Sequence, residues 1–233
     1  MQLLALDTST EWCSAALWLD GELRVREENA GQRHSELILP MVDSLLREAG
    51  LALAALDAIA FGAGPGSFTG LRIACGVVQG MALGADLKVI PVSTLESLAQ
   101  ACGGDRVIAA LDARMGELYL ATYVREGEGW RNTYEPRLCL PQEAPLVEGV
   151  GWIGSGSGFA VHGDTLASRY GDSLQEMQPH WVPHARDIAT LGALQLARGG
   201  GVDPALAEPL YVRDKVAMTI EERAARKAGT GEG

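Results

Sequence analysis

Paired cysteines are missing from this chain of 233 residues. Its four cysteines, Cys13, Cys75, Cys102 and Cys139, stand far apart and form no CxxC pair. That distribution offers neither a zinc-site spacing nor a disulfide framework, and it fits a reduced cytoplasm. Cations are scarce as well: 19 Lys and Arg face 30 Asp and Glu, a formal net charge of -11. A surface that grips nucleic acid by itself needs cations to neutralise phosphates, so that class is excluded, and any service to RNA chemistry would leave the gripping to a partner. The N-terminus enters an apolar strand with no basic stretch ahead of it, and no uncharged run reaches membrane-spanning length. No export signal and no anchor are therefore expected, and the location expected is cytoplasmic. No Lys closes the glycine-rich stretch described below, which removes a Walker A loop, and neither GxSxG nor HExxH occurs, which leaves hydrolase readings without a motif.

What is present is a core-forming composition, 47% apolar, enough for one large or two small lobes, organised around residues 56–84. Asp57 to Phe61 reads as a buried strand. Glycines at 62, 64, 66 and 70, with Pro65 among them, then make a loop suited to close backbone approach. A helix follows, capped by Ser67 or Thr69. Strand, glycine loop and helix N-terminus together build anion sites in nucleotide-binding folds, with Arg72 the only cation nearby. From Ile73 to Ala85 that helix is uncharged and its apolar residues point in every direction, which demands cover on all sides. Gly76, Gly80 and Gly84 form a ridge along it, each costing roughly 1 kcal/mol of helix stability relative to alanine. Such a ridge needs a closely packed neighbour, either the chain's own sheet or another subunit.

A second helix, His34 to Ala49, carries Leu37, Ile38, Met41, Val42, Leu45, Leu46 and Ala49 over an arc of roughly 180°, where a surface helix needs about 100° to face its core. Pro40 should bend it unless the helix starts late. Two helices with more apolar surface than one sheet face can cover make an intermolecular interface the better account of the ridge.

The chain opens with a three-strand meander, Leu3 to Asp7, Cys13 to Asp20 and Glu22 to Glu27, with a tight turn at Asp20-Gly21. Asp7 ends the first strand, either closing a turn on Thr8 to Thr10 or serving a metal-bound phosphate. Lys88 to Val92 is a strand, and Ser93 with Glu96 spells a capping box for a helix through Ala101. The plan then repeats: Val107 to Asp112, Leu118 to Val124 and a strand around Trp130 to Tyr134, and later Gly151 to Ser157, where a strand again meets a Gly/Ser loop. Residues 137–150 read as loop with a short helix, Ala185 to Arg198 as a helix, and Leu210 to Arg213 as an extended piece. The duplication implies two lobes, 1–102 and 103–184, the first completed by 185–213, with a tail at 214–233 expected to fray.

The stretches LLALDTST, RHSELILPMVD, AFGAGPGSFTGLRIACGVVQGMALG, LDARMGELYLATY and PLYVR resemble the bacterial TsaB family, formerly called YeaZ, across essentially the whole chain. The resemblance implies an α/β, actin-like ATPase-related (ASKHA) fold, each lobe a mixed sheet flanked by helices. It also implies a role in making threonylcarbamoyladenosine beside the anticodon of tRNAs that read codons beginning with adenine. In that pathway the paralogue TsaD carries the transfer chemistry, while TsaB activates it together with the ATPase TsaE and self-associates through the same helices when TsaD is absent. The expected partners are thus TsaD, TsaE and a second copy of the chain, with tRNA reached only through the complex and no membrane involved.

The residues favour a helper over a catalyst. TsaD holds its metal with HxxxH on the helix corresponding to 34 onward, whereas here His34 is followed four residues on by Ile38; the remaining HxxxH, His180 to His184, contains Pro183 and does not suit a regular helix. No catalytic or metal residue is assigned. Docking contacts are expected from Leu37, Met41, Leu45, Ile73, Gly76, Val77, Gly80 and Met81. Asp7, Gly64, Gly66, Ser67, Asp112, Gly154 and Gly156 occupy the places where an actin-like ATPase holds its nucleotide. Asp112 is followed by Ala113-Arg114 rather than glycine, so that cleft is read as vestigial and no ATP or other cofactor is expected of the isolated chain. The competing reading is a metal-dependent, ATP-binding phosphotransferase using Asp7 or Asp112; a third is a homodimer with no pathway role.

Overall fold

A computed structural model describes residues 1–212; the expected tail at 214–233 lies outside the described residues. Two five-stranded sheets share one plan. In the first, β1 (Gln2–Asp7), β2 (Trp12–Leu19) and β3 (Glu22–Asn29) form an antiparallel meander, and β4 (Ala58–Gly64) and β5 (Lys88–Ser93) add in parallel on the other side of β1, giving the order β3-β2-β1-β4-β5. The second repeats this with β6 (Arg106–Asp112), β7 (Leu118–Glu126), β8 (Gly129–Cys139), β9 (Trp152–Ser155) and β10 (Leu174–Gln178), in the order β10-β9-β6-β7-β8. The hairpin between β2 and β3 turns on Asp20 and Gly21, both at positive φ, as a two-residue turn of matching twist requires.

Side chains alternate across each strand, so each sheet buries two faces. Leu4, Leu6, Ile59 and Phe61 face α1 (His34–Ala49) and α2 (Phe68–Ala85), which supply Ile38, Val42, Ala74 and Val78. Leu3, Ala5 and Ala60 face the opposite way, onto Ile188, Ala189 and Leu191 of α5 (Ala185–Ala197). Gly192 is where α5 comes closest: a Cβ there would stand 2.8 Å from that of Ala60. Across the lobe boundary α3 (Thr94–Cys102) covers Val107, Ala109 and Tyr123 of the second sheet, and α4 (Ser157–Tyr170) covers Ile108, Ala110 and Leu120 on its other face.

Several local expectations change. The helix α1 runs unbroken through Pro40, which is exposed. Ser93 is the N-cap residue of α3 but makes no capping hydrogen bond; its hydroxyl lies 3.4 Å from the Tyr123 hydroxyl of the other lobe, so no capping box forms. Glu96 is mostly buried instead, and that burial pushes its carboxyl up to about 7. The strand β8 runs on to Cys139 through Pro136, tolerated because β8 is an edge strand. The helix α4 and the strand β10 are additions to the sequence reading.

Candidate functional site

The inner face of α2 is apolar and covered: Leu71, Ala74, Cys75, Val78 and Ala82 are buried. Its outer face is bare. Around the positions where Gly76, Gly80 and Gly84 would carry a Cβ, no atom of the described residues lies within 4 Å. The glycines therefore do not serve packing on the chain's own sheet. Ile73, Val77 and Met81 flank them half-buried, and Leu83 is 62% exposed. Leu37 and Met41 of α1 are half-buried, and Leu39 is 50% exposed. The expectation of cover on all sides is thus unmet among the described residues. Leu45 is a correction to the docking set: it is fully buried beneath α1 and belongs to the core. By length and composition α2 could cross a membrane, but its inner residues are those that seal the sheet.

The second candidate is a cleft of about 920 Å³ between the lobes, whose walls include Thr10, His34, Ser67, Asp112, Arg114 and Ser157. Of the residues expected there, Gly66, Ser67 and Asp112 line it. The other four do not. Asp7 is fully buried; its Oδ1 accepts from the Ser9 N–H at 3.1 Å and from the Ser9 hydroxyl at 2.9 Å, so it closes the turn, the first of its two expected roles. Among the described residues its Oδ2 finds no hydrogen-bond partner, and it lies against Gly62. Burial pushes the carboxyl up to about 7, with the Ser9 hydrogen bonds opposing. Gly64 is covered by the backbone of Leu210 and the side chain of Leu71. Gly154 lies under the Phe159 ring, and Gly156 is packed on the Ala110 carbonyl and Leu98. These glycines admit the chain's own atoms rather than a ligand.

The glycine loop is likewise closed on itself. The Ser67 N–H donates to the Ser9 carbonyl at 2.8 Å, the Ser67 hydroxyl accepts from the Gly70 N–H at 3.3 Å, and Thr8 Oγ1 donates to the Gly70 carbonyl at 2.7 Å. Ser67 is thus the cap the sequence offered, and the N–H groups of Ser67 and Gly70 are engaged internally. At the other lobe, Asp112 accepts from the Arg114 N–H at 3.0 Å and pairs with its guanidinium at 3.4 Å, while the Asp112 N–H donates to Ser157 Oγ at 3.1 Å. Ser9 and Ser157 are the residues the sequence reading left out; Ser9 stands in the turn beyond β1 and Ser157 opens α4 just beyond β9, and position after a strand is the one signal that pointed to them.

The histidines stay apart. His34 is buried with Nε2 2.9 Å from the Thr10 carbonyl, and Ile38 is fully buried in the core. His184 caps α5, accepting from the Arg186 N–H at 3.2 Å, and meets Glu27, whereas His180 is exposed. Burial lowers the His184 pKa, with Glu27 opposing.

A family model described as TsaD, tRNA N6-adenosine threonylcarbamoyltransferase, matches residues 25–220. The tRNA threonylcarbamoyladenosine biosynthesis protein TsaB of Escherichia coli (strain K12) is 40% identical over 225 residues, 93% of this chain and 96% of that protein. The chain belongs to the TsaB family. The Haemophilus influenzae TsaB is 38% identical over 93% of this chain and 95% of its own length. Among solved structures, YeaZ from Pseudomonas aeruginosa superposes with a TM-score of 0.84 at 41% identity, covering 90% of this chain and 99% of that one. The repeated mixed sheet with helices on both faces is accordingly the actin-like, ASKHA-related fold. Membership in TsaB associates the chain with threonylcarbamoyladenosine biosynthesis.

Proposed function

We propose that this TsaB is an accessory, non-catalytic subunit: its α1 and α2 dock on the equivalent helices of TsaD and hold that transferase in an active arrangement, with TsaE as the third component. The observation that carries the reading is the bare glycine ridge of α2. Three glycines weaken a helix by roughly 1 kcal/mol each, and among the described residues nothing stands against the ridge, which supports a compensating contact on another molecule. The contacts are Leu37, Met41, Ile73, Gly76, Val77, Gly80 and Met81, with Leu83 added by its exposure. The same face serves the homodimer, and tRNA is reached through the complex, in the cytoplasm. Residues 1–102 with 185–213 act as one lobe and 103–184 as the other. The phosphotransferase reading finds little support: Asp7 is sealed in a turn and Asp112 is tied to Arg114 and Ser157.

The test is Gly80→Leu. A leucine favours the helix over glycine, and its Cβ would meet no atom of the described residues within 4 Å, so the monomer should fold, while close helix approach is blocked. Light scattering should show loss of self-association, and affinity for TsaD should fall by at least about thirtyfold, the scale of a ~2 kcal/mol hot-spot contact. A variant that stays dimeric and binds TsaD unchanged would remove the ridge from the interface. Calorimetry with ATP and magnesium on the isolated chain should show no tight binding; turnover without a partner would revive the enzyme.

A further inference from the structure

The late PLYVR stretch is not used by the docking face, yet Leu210 and Tyr211 within it, and Val202 and Ala207 ahead of it, are tied to the first lobe. Beyond α5 the chain rounds the edge of the first sheet, where Val202 and Val89 of β5 exchange backbone hydrogen bonds of 2.8 and 3.0 Å. It then crosses α2: the Ala207 carbonyl accepts from Gln79 Nε2 at 2.9 Å and from Cys75 Sγ at 3.4 Å. Next, the Leu210 N–H donates to the Ala63 carbonyl at the end of β4, at 2.7 Å. Finally, the Tyr211 hydroxyl accepts from Arg72 Nε at 3.0 Å, and its ring lies 5.8 Å from that of Phe68. The Arg72 guanidinium stands 3.8 Å over the Phe68 ring. A cavity of about 60 Å³ is left beneath Leu210 and Tyr211, and Tyr119 of the second lobe forms part of its wall.

Phe68, Arg72, Cys75 and Gln79 recur at helical spacing and make one stripe of α2, roughly 130° around the helix from the stripe of Ile73, Gly80 and Gly84. Arg72, the sole charged residue of α2, is engaged inside the chain. Every turn from Phe68 to Gln79 is therefore gripped from one flank while the ridge beside it is left bare.

We propose that Ala207–Val212 is a belt that fixes the rotation of α2 and the seat of the glycine loop, with Tyr211 its positioning residue, so that the ridge is presented in one geometry to whatever docks on it. What the ridge binds rests on the docking reading above; the belt is a property of the isolated chain and is tested there. Amide hydrogen exchange is followed in the unliganded full chain, comparing wild type, Tyr211→Phe and Tyr211→Ala. Removing the ring should speed exchange across the first three turns of α2 by about tenfold, through local opening, and leave β1–β3 and the second lobe unchanged. Removing the hydroxyl alone should give about a threefold effect, the scale of one hydrogen bond. Unchanged exchange in α2 for Tyr211→Ala, or acceleration spread evenly over both lobes, overturns the belt. Because Tyr211 is itself 45% exposed, weaker partner binding alone would not separate positioning from contact; faster exchange in the free chain does. If Gly80→Leu binds normally while Tyr211→Ala exchanges fast, the docking reading fails and the belt stands.

Discussion

Gly62, Gly64, Gly66 and Gly70 lie in the same strand, loop and helix unit as Gly76, Gly80 and Gly84, and the two sets have opposite surroundings. A Cβ on any of the first four would run into Asp7, the Leu210 carbonyl, the Ser9 carbonyl or the Thr8 carbonyl, whereas a Cβ on the last three would meet nothing within 4 Å. The first set is explained by the chain itself, since its two neighbouring loops interlock backbone to backbone. The second set has no explanation among the described residues. A glycine's meaning thus lies in what stands opposite it, and the boundary between inside and outside uses of the residue falls within α2.

The sharpest break would come at Gly70. An alanine there would overlap the Thr8 carbonyl, and neither backbone can yield, so Gly70→Ala should cost about 3 kcal/mol or prevent folding. Denaturant unfolding measures this, and a loss below ~1 kcal/mol would mean that the loop is not clamped. The next effect is electrostatic and has the same origin, because the close approach of Gly62 and the sealed turn are what desolvate Asp7. Its folded-state pKa, about 7, lies above the ordinary 3.8, so between those values the folded state binds the extra proton. Stability from this group is present at low pH and is lost as pH rises from about 4 to 7. The wild type minus Asp7→Asn difference should slope downward in that window, on the order of 1 kcal/mol per pH unit. Glu96 and Asp187, pushed up to about 7 and about 6 by burial, act in the same direction, which is why the difference curve rather than the wild-type curve carries the test. A flat difference would mean that Asp7 keeps its charge in the folded chain.

The smallest effect has the opposite sign. Gly76→Ala and Gly84→Ala, on the open ridge, should each stabilise the isolated chain by up to about 1 kcal/mol, read as a raised unfolding midpoint, while weakening self-association. If they destabilise the monomer instead, the ridge packs internally and the comparison collapses.

Much of this was legible in the residues because it is local or repeated. A strand ending in Asp, a meander and a later Gly/Ser loop occur twice, and the two sheets have matching strand orders. The ridge could be seen from spacing alone. What could not be seen depends on distant partners. Ser93 followed by Glu96 spells a capping box, but Tyr123 from the other lobe stands beside the Ser93 hydroxyl. A GSGSG string reads identically whether its space holds a phosphate or, as here, Phe159 and the Ala110 carbonyl. Leu45 belongs to a wide apolar arc, and the structure places it on the buried side of α1 with Ile38 and Val42. The helix α4 escaped notice because Gly158 and Gly163 dilute its pattern and its backbone departs from helical geometry at His162. The strand β10, LQEMQ, is a short polar edge without a strand's usual alternation.

The placement of α5 has a consequence for how the protein is made. The first sheet is complete once β5 has been synthesised, but the side carrying Leu3, Ala5, Ala16 and Ala60 waits for a helix that begins at residue 185. Throughout translation of the entire second lobe, that greasy sheet surface stays naked, and the earliest part of the protein is the last to be finished. Messages cut short before that helix would release chains that clump rather than half-sized working domains.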